Sequence, residues 1–464
     1  MNKILIENPL IIATMNDERR EFSSGNILIE NDKIVSIGND IPDIEVDEVI
    51  DATNMVVLPG FVNTHHHFYQ TLTRNIPKMQ NAKLFSWLVD HYEVWRELTE
   101  EGVDVSTKTA IAELMLSGTT TTSDHLYLFP LKSSKELIDV EIESAKAMGI
   151  RFYPTRGSMS LGNSNGGLPS DDVVQTESEI QADTERLVAK YHDESDGSML
   201  RIALAPCSPF SVTPALMRLT ADYAKANNLL IHTHLAETLD EEKFCMDTFG
   251  KRPVDYADSL GWISKKAWFA HTVHLNDDEI KLMGNTGCGV SHCPTSNMRL
   301  GSGIARIKEL LIAGVNVSLA VDGSASNDSS NMLSELRNVL LLSRMRKDQH
   351  WLIARDVLWM ATRGGAGALG RDDIGQLVEG KQADIALFSV DNLEYSGGMS
   401  DPLAALIFTQ RMSPVDYLIV KGKVKIRNRK LDFNEEIHVQ EHNRIAKEML
   451  EKANKNSGID FLRE

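Results

Sequence analysis

The sequence predicts an α/β fold centred on a (β/α)8 TIM barrel. Three observations predict it. Eight short apolar or β-branched runs lie between residues 55 and 323, segments with helical period separate them, and each run ends on residues able to carry chemistry. Apolar runs alternating with helices belong to a parallel sheet covered on both faces. Eight such units in roughly 270 residues suit a closed barrel, whose catalytic groups project from the C-terminal strand ends.

Taken in order, the first run is "MVVLPGFVNTH" (55–65), which leads into His65, His66 and His67. "TTTTSDH" (119–125) ends in Asp124 and His125, and "IRFYPTR" (150–156) in Arg156. "LRIALAPCS" (200–208) ends in Cys207 and Ser208, and "LLIHTH" (229–234) in His234. "AWFAH" (267–271), "GCGVSHC" (287–293) and "NVSLAVDG" (316–323) supply His271, His292 and Asp322. Both chain ends are β-rich instead. Residues 3–13 and 26–38 read as short strands with a hairpin tip at "NDK", and 376–428 repeat that style. Residues 434–464 read as an amphipathic helix plus tail. Two loops, 68–99 with Trp87 and Trp95, and the Gly/Ser/Asn-rich 157–170, are candidates to close over a substrate.

The bulk composition narrows the function. The chain has 464 residues, 42% hydrophobic and 25% charged, which is ordinary for a globular protein. A net charge of −18 opposes a nucleic-acid partner, because polyanions are bound by basic surface. A small neutral or weakly charged substrate fits better. Four cysteines without C-x-x-C spacing read as reduced thiols of a cytoplasmic protein. No signal peptide and no membrane span are expected.

The strand-end residues suggest a metal site. A catalytic divalent ion needs about three to four protein ligands and an open position for water. Residues i and i+2 of a strand share a face, so His65 and His67 can meet one ion while His66 points away. His234 ends the fifth run, and Glu237 follows where the chain can curl back over the barrel mouth to trade protons without ligating. His232 shares the face of His234 but lies deeper, as a core or supporting residue. His271 ends the sixth run, with His274 as the alternative. Asp322 can both bind the ion and hydrogen-bond its water. The fourth run has no lysine to bridge two ions, so one metal is expected. Imidazole and carboxylate donors suit Zn2+, with Fe2+ or Mn2+ also able to bind.

Together these residues resemble the amidohydrolase superfamily. The motifs are P-G-x-V-x-x-H-x-H at 59–67, H-x-x-E at 234–237, A-H at 270–271, S-H-x-P-x-S-N at 291–297 and D-G at 322–323. The resemblance runs to about residue 430. It implies a small β-sandwich built from both chain ends: 1–57 and 369–432 as its two parts, 58–368 as the barrel, and 433–464 as C-terminal helix and tail. Within the superfamily the pattern is similar to the aminohydrolase and chlorohydrolase branch that acts on amino-substituted nitrogen heterocycles. "TTSDHLYLFP", "TRGSMSLG", "LAPCSPFSV" and "VDGSASND" resemble the 8-oxoguanine deaminases, a group often labelled hydroxydechloroatrazine ethylaminohydrolases by similarity. Relatives that deaminate adenosine-type substrates carry histidine at the place of Cys207, so this cysteine speaks for a different ring. Gln70 and Cys207 are the candidates for reading ring edges, with Arg156 and His292 as further substrate contacts.

The resemblance implies hydrolytic deamination. His65, His67, His234 and Asp322 hold the ion, which lowers the pKa of a water. His271 and Asp322 hold that water, and Asp322 takes its proton. The resulting hydroxide attacks the amino-bearing carbon. Glu237 protonates the adjacent ring nitrogen and then serves the departing amine. With 8-oxoguanine the products are urate and ammonia. Hydroxy-s-triazines, guanine, pterins and cytosine-type rings present the same edge and are alternatives. An inactive scaffold would have lost ligands that this chain keeps. A homo-oligomer is expected on family grounds.

Overall fold

A glycine splits the first predicted strand in two. The computed structural model describes residues 2–41, 44–346, 351–409 and 413–463. Met55–Pro59 pairs with Ile385–Ser389 and Ile11–Ala13, whereas Phe61–Asn63 pairs with the barrel strand Thr119–Leu126. A Cβ at Gly60 would lie 2.1 Å from Thr120 Cγ2, so only glycine lets the chain step from one sheet to the other here. Both halves are apolar, and the run therefore reads as one strand in the sequence.

The barrel strands follow in chain order. They are β1 (Phe61–Asn63), β2 (Thr119–Leu126), β3 (Arg151–Ser158), β4 (Ala203–Pro206), β5 (Ile231–Leu235), β6 (Ala267–His271), β7 (Gly289–His292) and β8 (Asn316–Leu319). Each pairs in parallel with its chain neighbour, from β1 through to β8. The seam between β8 and β1 is held by individual bonds. Thr64 Oγ1 lies 2.7 Å from Ser318 Oγ, Val321 N donates to Asn63 Oδ1 at 3.0 Å, and Asp322 N donates to His65 O at 3.2 Å.

The β-rich ends form two sheets. Lys3–Glu7, Asn26–Glu30, Lys33–Gly38 and Glu48–Asp51 make a four-stranded sheet. A seven-stranded sheet combines N-terminal strands with Ile385–Ser389, Tyr417–Val420, Lys423–Arg427 and Lys430–Leu431. Ile4, Ile6, Ile27 and Ile29 of the first sheet pack with Val57, Ile385, Leu387 and Ile419 of the second. This is the sandwich that the resemblance implies. Residues 31–32 form its first hairpin tip, with Asn31 at φ 56°.

Two features tie other parts to the barrel. Arg151, the first residue of β3 and 1% exposed, pairs with Asp384 beside the sandwich strand. Its guanidinium also donates to Gly197 O at 2.7 Å and Gln382 Oε1 at 2.7 Å. The helix Glu435–Ser457 lies across the helices Leu84–Trp95 and Glu100–Leu116 and the turn Phe68–Thr73, where His442 Nε2 is 3.1 Å from Thr71 Oγ1. The predicted loop 68–99 is thus largely helical. Residues 160–168 bond to Ser211 O and Phe210 O. Among the described residues no helix is long and apolar enough to cross a membrane.

Removing one member of a buried ion pair leaves the other charge stranded, at a cost of roughly 3–5 kcal/mol. Asp384→Ala should therefore lower stability by about that amount in chemical denaturation. A loss no larger than that of an exposed-site control would show that the Arg151 contacts to carbonyl oxygens suffice.

Candidate active site

Alternation that continues past the end of β1 sorts the three consecutive histidines. His65 and His67 point into the barrel mouth, with ring centroids 4.7 Å apart. His66 turns away, its Nδ1 accepting from His67 N at 2.8 Å and its Nε2 lying 2.9 Å from Ser330 Oγ. The Nδ1 of His66 is used as an acceptor, so its proton sits on Nε2 and donates to the serine.

Neighbouring carbonyls fix the protons on the inward rings. His67 Nδ1 donates to His125 O at 2.8 Å, and His234 Nδ1 to Cys207 O at 2.7 Å. His232 Nδ1 donates to Trp268 O at 2.8 Å, which leaves its Nε2 to accept from His65 Nδ1, also at 2.8 Å. A carbonyl oxygen can only accept, so each assignment is forced. The Nε2 atoms of His65, His67 and His234 are left as bare lone pairs. Burial keeps the rings neutral, and that of His234 is pushed down to about 3.

These lone pairs converge. His67 Nε2 and His234 Nε2 are 3.1 Å apart with no hydrogen between them. Asp322 Oδ1 lies 3.3 Å from both His65 Nε2 and His67 Nε2. Burial opposes the Asp322 charge, but the surrounding imidazoles hold its carboxyl well below the usual carboxylate range. Acceptors this close repel unless a cation lies among them. Donors at about 2.0–2.1 Å from a tetrahedral ion stand roughly 3.3 Å from one another. The His67–His234 spacing and the two Asp322 spacings match this value, and the imidazole and carboxylate donors fit a divalent ion.

His125 belongs to the same cluster and was not assigned from the sequence. Its ligand-capable nitrogen groups with those of His65, His67 and His234 within 4.8 Å. Its Nε2 donates to Ala205 O at 2.8 Å, and its buried Nδ1 has no hydrogen-bond partner among the described residues. The signal was present, since His125 ends the second run, but nothing in the spacing gave it a task.

Three turns bring the remaining groups to the mouth. Ala236, His271 and Asp322 adopt φ of 54°, 71° and 65°, a region that costs a residue other than glycine about 1–3 kcal/mol. Glu241 holds the first turn by accepting from Ala236 N and Glu237 N, each at 2.8 Å. Glu237 Oε2 then lies 3.6 Å from His271 Nε2, and Asp322 Oδ2 lies 3.9 Å from it. His271 Nδ1 donates to Asn297 Oδ1 at 2.9 Å. Burial would lower the His271 pKa, but Glu237 and Asp322 beside it raise it. Burial raises that of Glu237. His274, the alternative to His271, instead meets Ser302 O at 2.7 Å.

A cavity opens above these groups. Gln70, Cys207 and Ser326 give it polar edges, and Leu84, Trp87, Leu88, Phe210 and Leu300 give it apolar walls. The buried Gln70 Oε1 has no partner among the described residues and rests against Gly323, where a Cβ would stand 1.9 Å from it. Burial pushes the Cys207 thiol up to about 12, so it stays a neutral S–H.

Two expected substrate contacts lie elsewhere. In β3, Thr155 aligns with the inward His125, so Arg156 takes the opposite face. There it pairs with Asp183 at 2.6 Å, donates to Gln175 Oε1 at 2.9 Å and stacks over Phe129 at 4.3 Å. In β7, Ser291 faces inward to Thr64 at 2.6 Å, which sends His292 outward. His292 lines a separate cavity beside the helices Ile307–Ile312 and Met332–Ser343.

The fold and this cluster define a hydrolase-type metal site in a barrel, and residues 56–425 match the amidohydrolase family. The chain belongs to that family. It is 50% identical to an 8-oxoguanine deaminase of Pseudomonas aeruginosa over 88% of this chain and 90% of that protein. It is 33% identical to a hydroxydechloroatrazine ethylaminohydrolase of a Pseudomonas species, over 87% of this chain and 86% of that protein. Among solved structures, atrazine chlorohydrolase of Arthrobacter aurescens complexed with zinc is similar at a TM-score of 0.91 and 33% identity, covering 96% of this chain and 100% of that one.

Alanine at His65, His67, His234 or Asp322 is expected to leave purified protein with little bound metal, measured by elemental analysis, while His66→Ala retains it. His232→Ala, which frees the His65 ring, should weaken metal affinity by about 10–100-fold. Metal loss in His66→Ala would show that the ring facing Ser330 ligates after all.

Proposed function

We propose that this chain is a metal-dependent aminohydrolase that converts 8-oxoguanine and water to urate and ammonia. The observation that carries the reading is the convergence of acceptor atoms beneath a cavity whose edge presents Glu237. The 50% identity to an 8-oxoguanine deaminase supports the choice of ring. The unpartnered Gln70 Oε1 and the neutral Cys207 thiol at the cavity wall also support it, since both can meet polar groups on a purine's edge.

His65, His67, His234 and Asp322 would hold the ion, which we take to be zinc, one per chain. When bound, such an ion lowers the pKa of a water toward neutrality. The protein's own groups do the rest. His271, fixed on Asn297, turns Nε2 toward the space between Glu237 and Asp322 and orients the attacking water. The Asp322 carboxylate, kept ionised by the rings around it, accepts the water's proton. Glu237 has its pKa raised by burial and so can carry a proton in the neutral range. It delivers one to the ring nitrogen beside the amino-bearing carbon, where electron density must be drawn away before attack. Glu237 then takes the proton of the new hydroxyl as the carbonyl forms and hands it to the amine, which leaves as ammonia, and the proton on Asp322 passes back to Glu237 for the next turnover. The parallel with zinc nucleobase deaminases lies in a glutamate that shuttles protons without ligating. Trp87, Leu88 and Phe210 offer apolar surface to the ring faces. The proposal extends to a homo-oligomer working in the cytosol.

Ammonia release by metal-analysed protein against 8-oxoguanine, guanine, isoxanthopterin, cytosine and a hydroxy-s-triazine tests the substrate. Preference for 8-oxoguanine is expected, and faster turnover of another ring would overturn the reading of Gln70 and Cys207. Glu237→Gln should keep the metal and lose at least about 100-fold in kcat, the low end of what general acid–base catalysis supplies. Cys207→Ala should shift the ranking within the panel while leaving the metal in place. An unchanged ranking would return this thiol to a packing role.

A further inference from the structure

The segment 297–303 touches both partners of the proposed proton transfer. Asn297 Oδ1 accepts from His271 Nδ1 at 2.9 Å, and Ser302 Oγ donates to Glu237 Oε1 at 3.0 Å. Ser302 is itself held on two sides. Its N–H donates to Asn297 O at 2.8 Å, and its carbonyl accepts from His274 Nε2 at 2.7 Å. Gly301 and Gly303, at φ 68° and 128°, make the turn that presents the hydroxyl inward. Ser302 is 5% exposed and Glu237 is 4% exposed. No other hydrogen bond reaches the Glu237 carboxylate among the described residues.

A glutamate side chain has freely turning torsions, and its two oxygens are chemically equivalent until something distinguishes them. Here Oε1 is engaged by the serine, and Oε2 is the oxygen turned toward His271 at 3.6 Å. We propose that Ser302 is a positioning residue: its hydroxyl reserves Glu237 Oε1 and thereby assigns proton transfer to Oε2. This rests on Glu237 being the proton shuttle. It adds which oxygen works, and identifies a residue on the turn after the helix Pro294–Arg299 as the group that selects it. The bond to Ser302 persists while Oε2 gains and loses its proton, since Oε1 stays an acceptor in both states. His274, which lies past the end of β6, holds the Ser302 carbonyl and so supports the same turn.

The experiment measures 8-oxoguanine deamination by Ser302→Ala and Ser302→Thr, each in the unaltered chain and in a Glu237→Gln background at high enzyme concentration. Ser302→Ala should lower kcat about tenfold, the factor one charge-assisted hydrogen bond supports, with KM held within about twofold. Ser302→Thr, which keeps the hydroxyl, should restore kcat to within about threefold of the unaltered chain. In the Glu237→Gln background, Ser302→Ala should cause no further loss, because no proton-carrying oxygen remains to be selected. Should Ser302→Ala not fold, Ser302→Cys gives the same comparison with a weaker donor. An unchanged kcat in Ser302→Ala overturns the proposal. So does a loss of equal size in both backgrounds, which marks a general structural role. Full activity of Glu237→Gln alone would instead overturn the proposed shuttle, a result distinguishable from either.

Discussion

His67 Nε2 stands 3.1 Å from His234 Nε2, Asp322 Oδ1 stands 3.3 Å from the Nε2 atoms of His65 and His67, and everything at the barrel mouth depends on how that crowding is resolved. The crowding is built by backbone carbonyls. His125 O, Cys207 O and Trp268 O each take a ring proton, directly or through His232, and so aim the opposite nitrogen inward. Two of these carbonyls sit where parallel strands run out. Cys207 O there also accepts from His234 N and from Thr233 Oγ1, each at 3.1 Å, so one carbonyl holds both the strand and its ring. The architecture thus supplies the acceptors that set the tautomers, and the tautomers create a site that a cation relieves.

Backbone strain then brings the reacting groups to that site. Ala236, His271 and Asp322 leave their strands through positive φ, in each case immediately beside or at a residue of the proposed chemistry. The cost is met locally. Glu241 accepts two consecutive N–H groups beneath Glu237, and His65 O accepts from Asp322 N across the barrel seam. Burial pushes the Glu241 carboxyl up to about 7, although those two backbone bonds favour its charged form. A buried acid is therefore spent on holding a turn in place. This is expected only where the geometry of the turn matters more than its stability.

Much of this was legible in the sequence, because period-2 alternation is a strong constraint. It separated His66 from His65 and His67, placed His232 beneath His234, and located Asp322 at a strand tip. The same rule exposes what was misread. Arg156 and His292 end apolar runs just as the site residues do, but a run's end says nothing about which face its last residue takes. Only the register against His125, and the inward turn of Ser291, show that both point out to the helices. The loop at 68–99 concealed a helix whose apolar face covers the cavity, a feature that depends on packing. Asn297 closes the motif at 291–297 but had no task there, and Ser302 lay outside every motif, since each meets its partner 26 or 65 residues away in the chain.

The seam of the barrel gives the site a mechanical meaning. β1 and β8 are linked by isolated bonds among side chains and single amides, while every other neighbouring pair shares strand-to-strand pairing. His65 and His67 stand just past the end of β1, and Asp322 stands just past the end of β8. An ion bound among them would rivet the first strand to the last, closing the ring at the place where two open edges meet. Loss of the ion would then act as an unzipping point, so the loaded and stripped proteins would differ in how long the ring survives as well as in whether it turns over substrate.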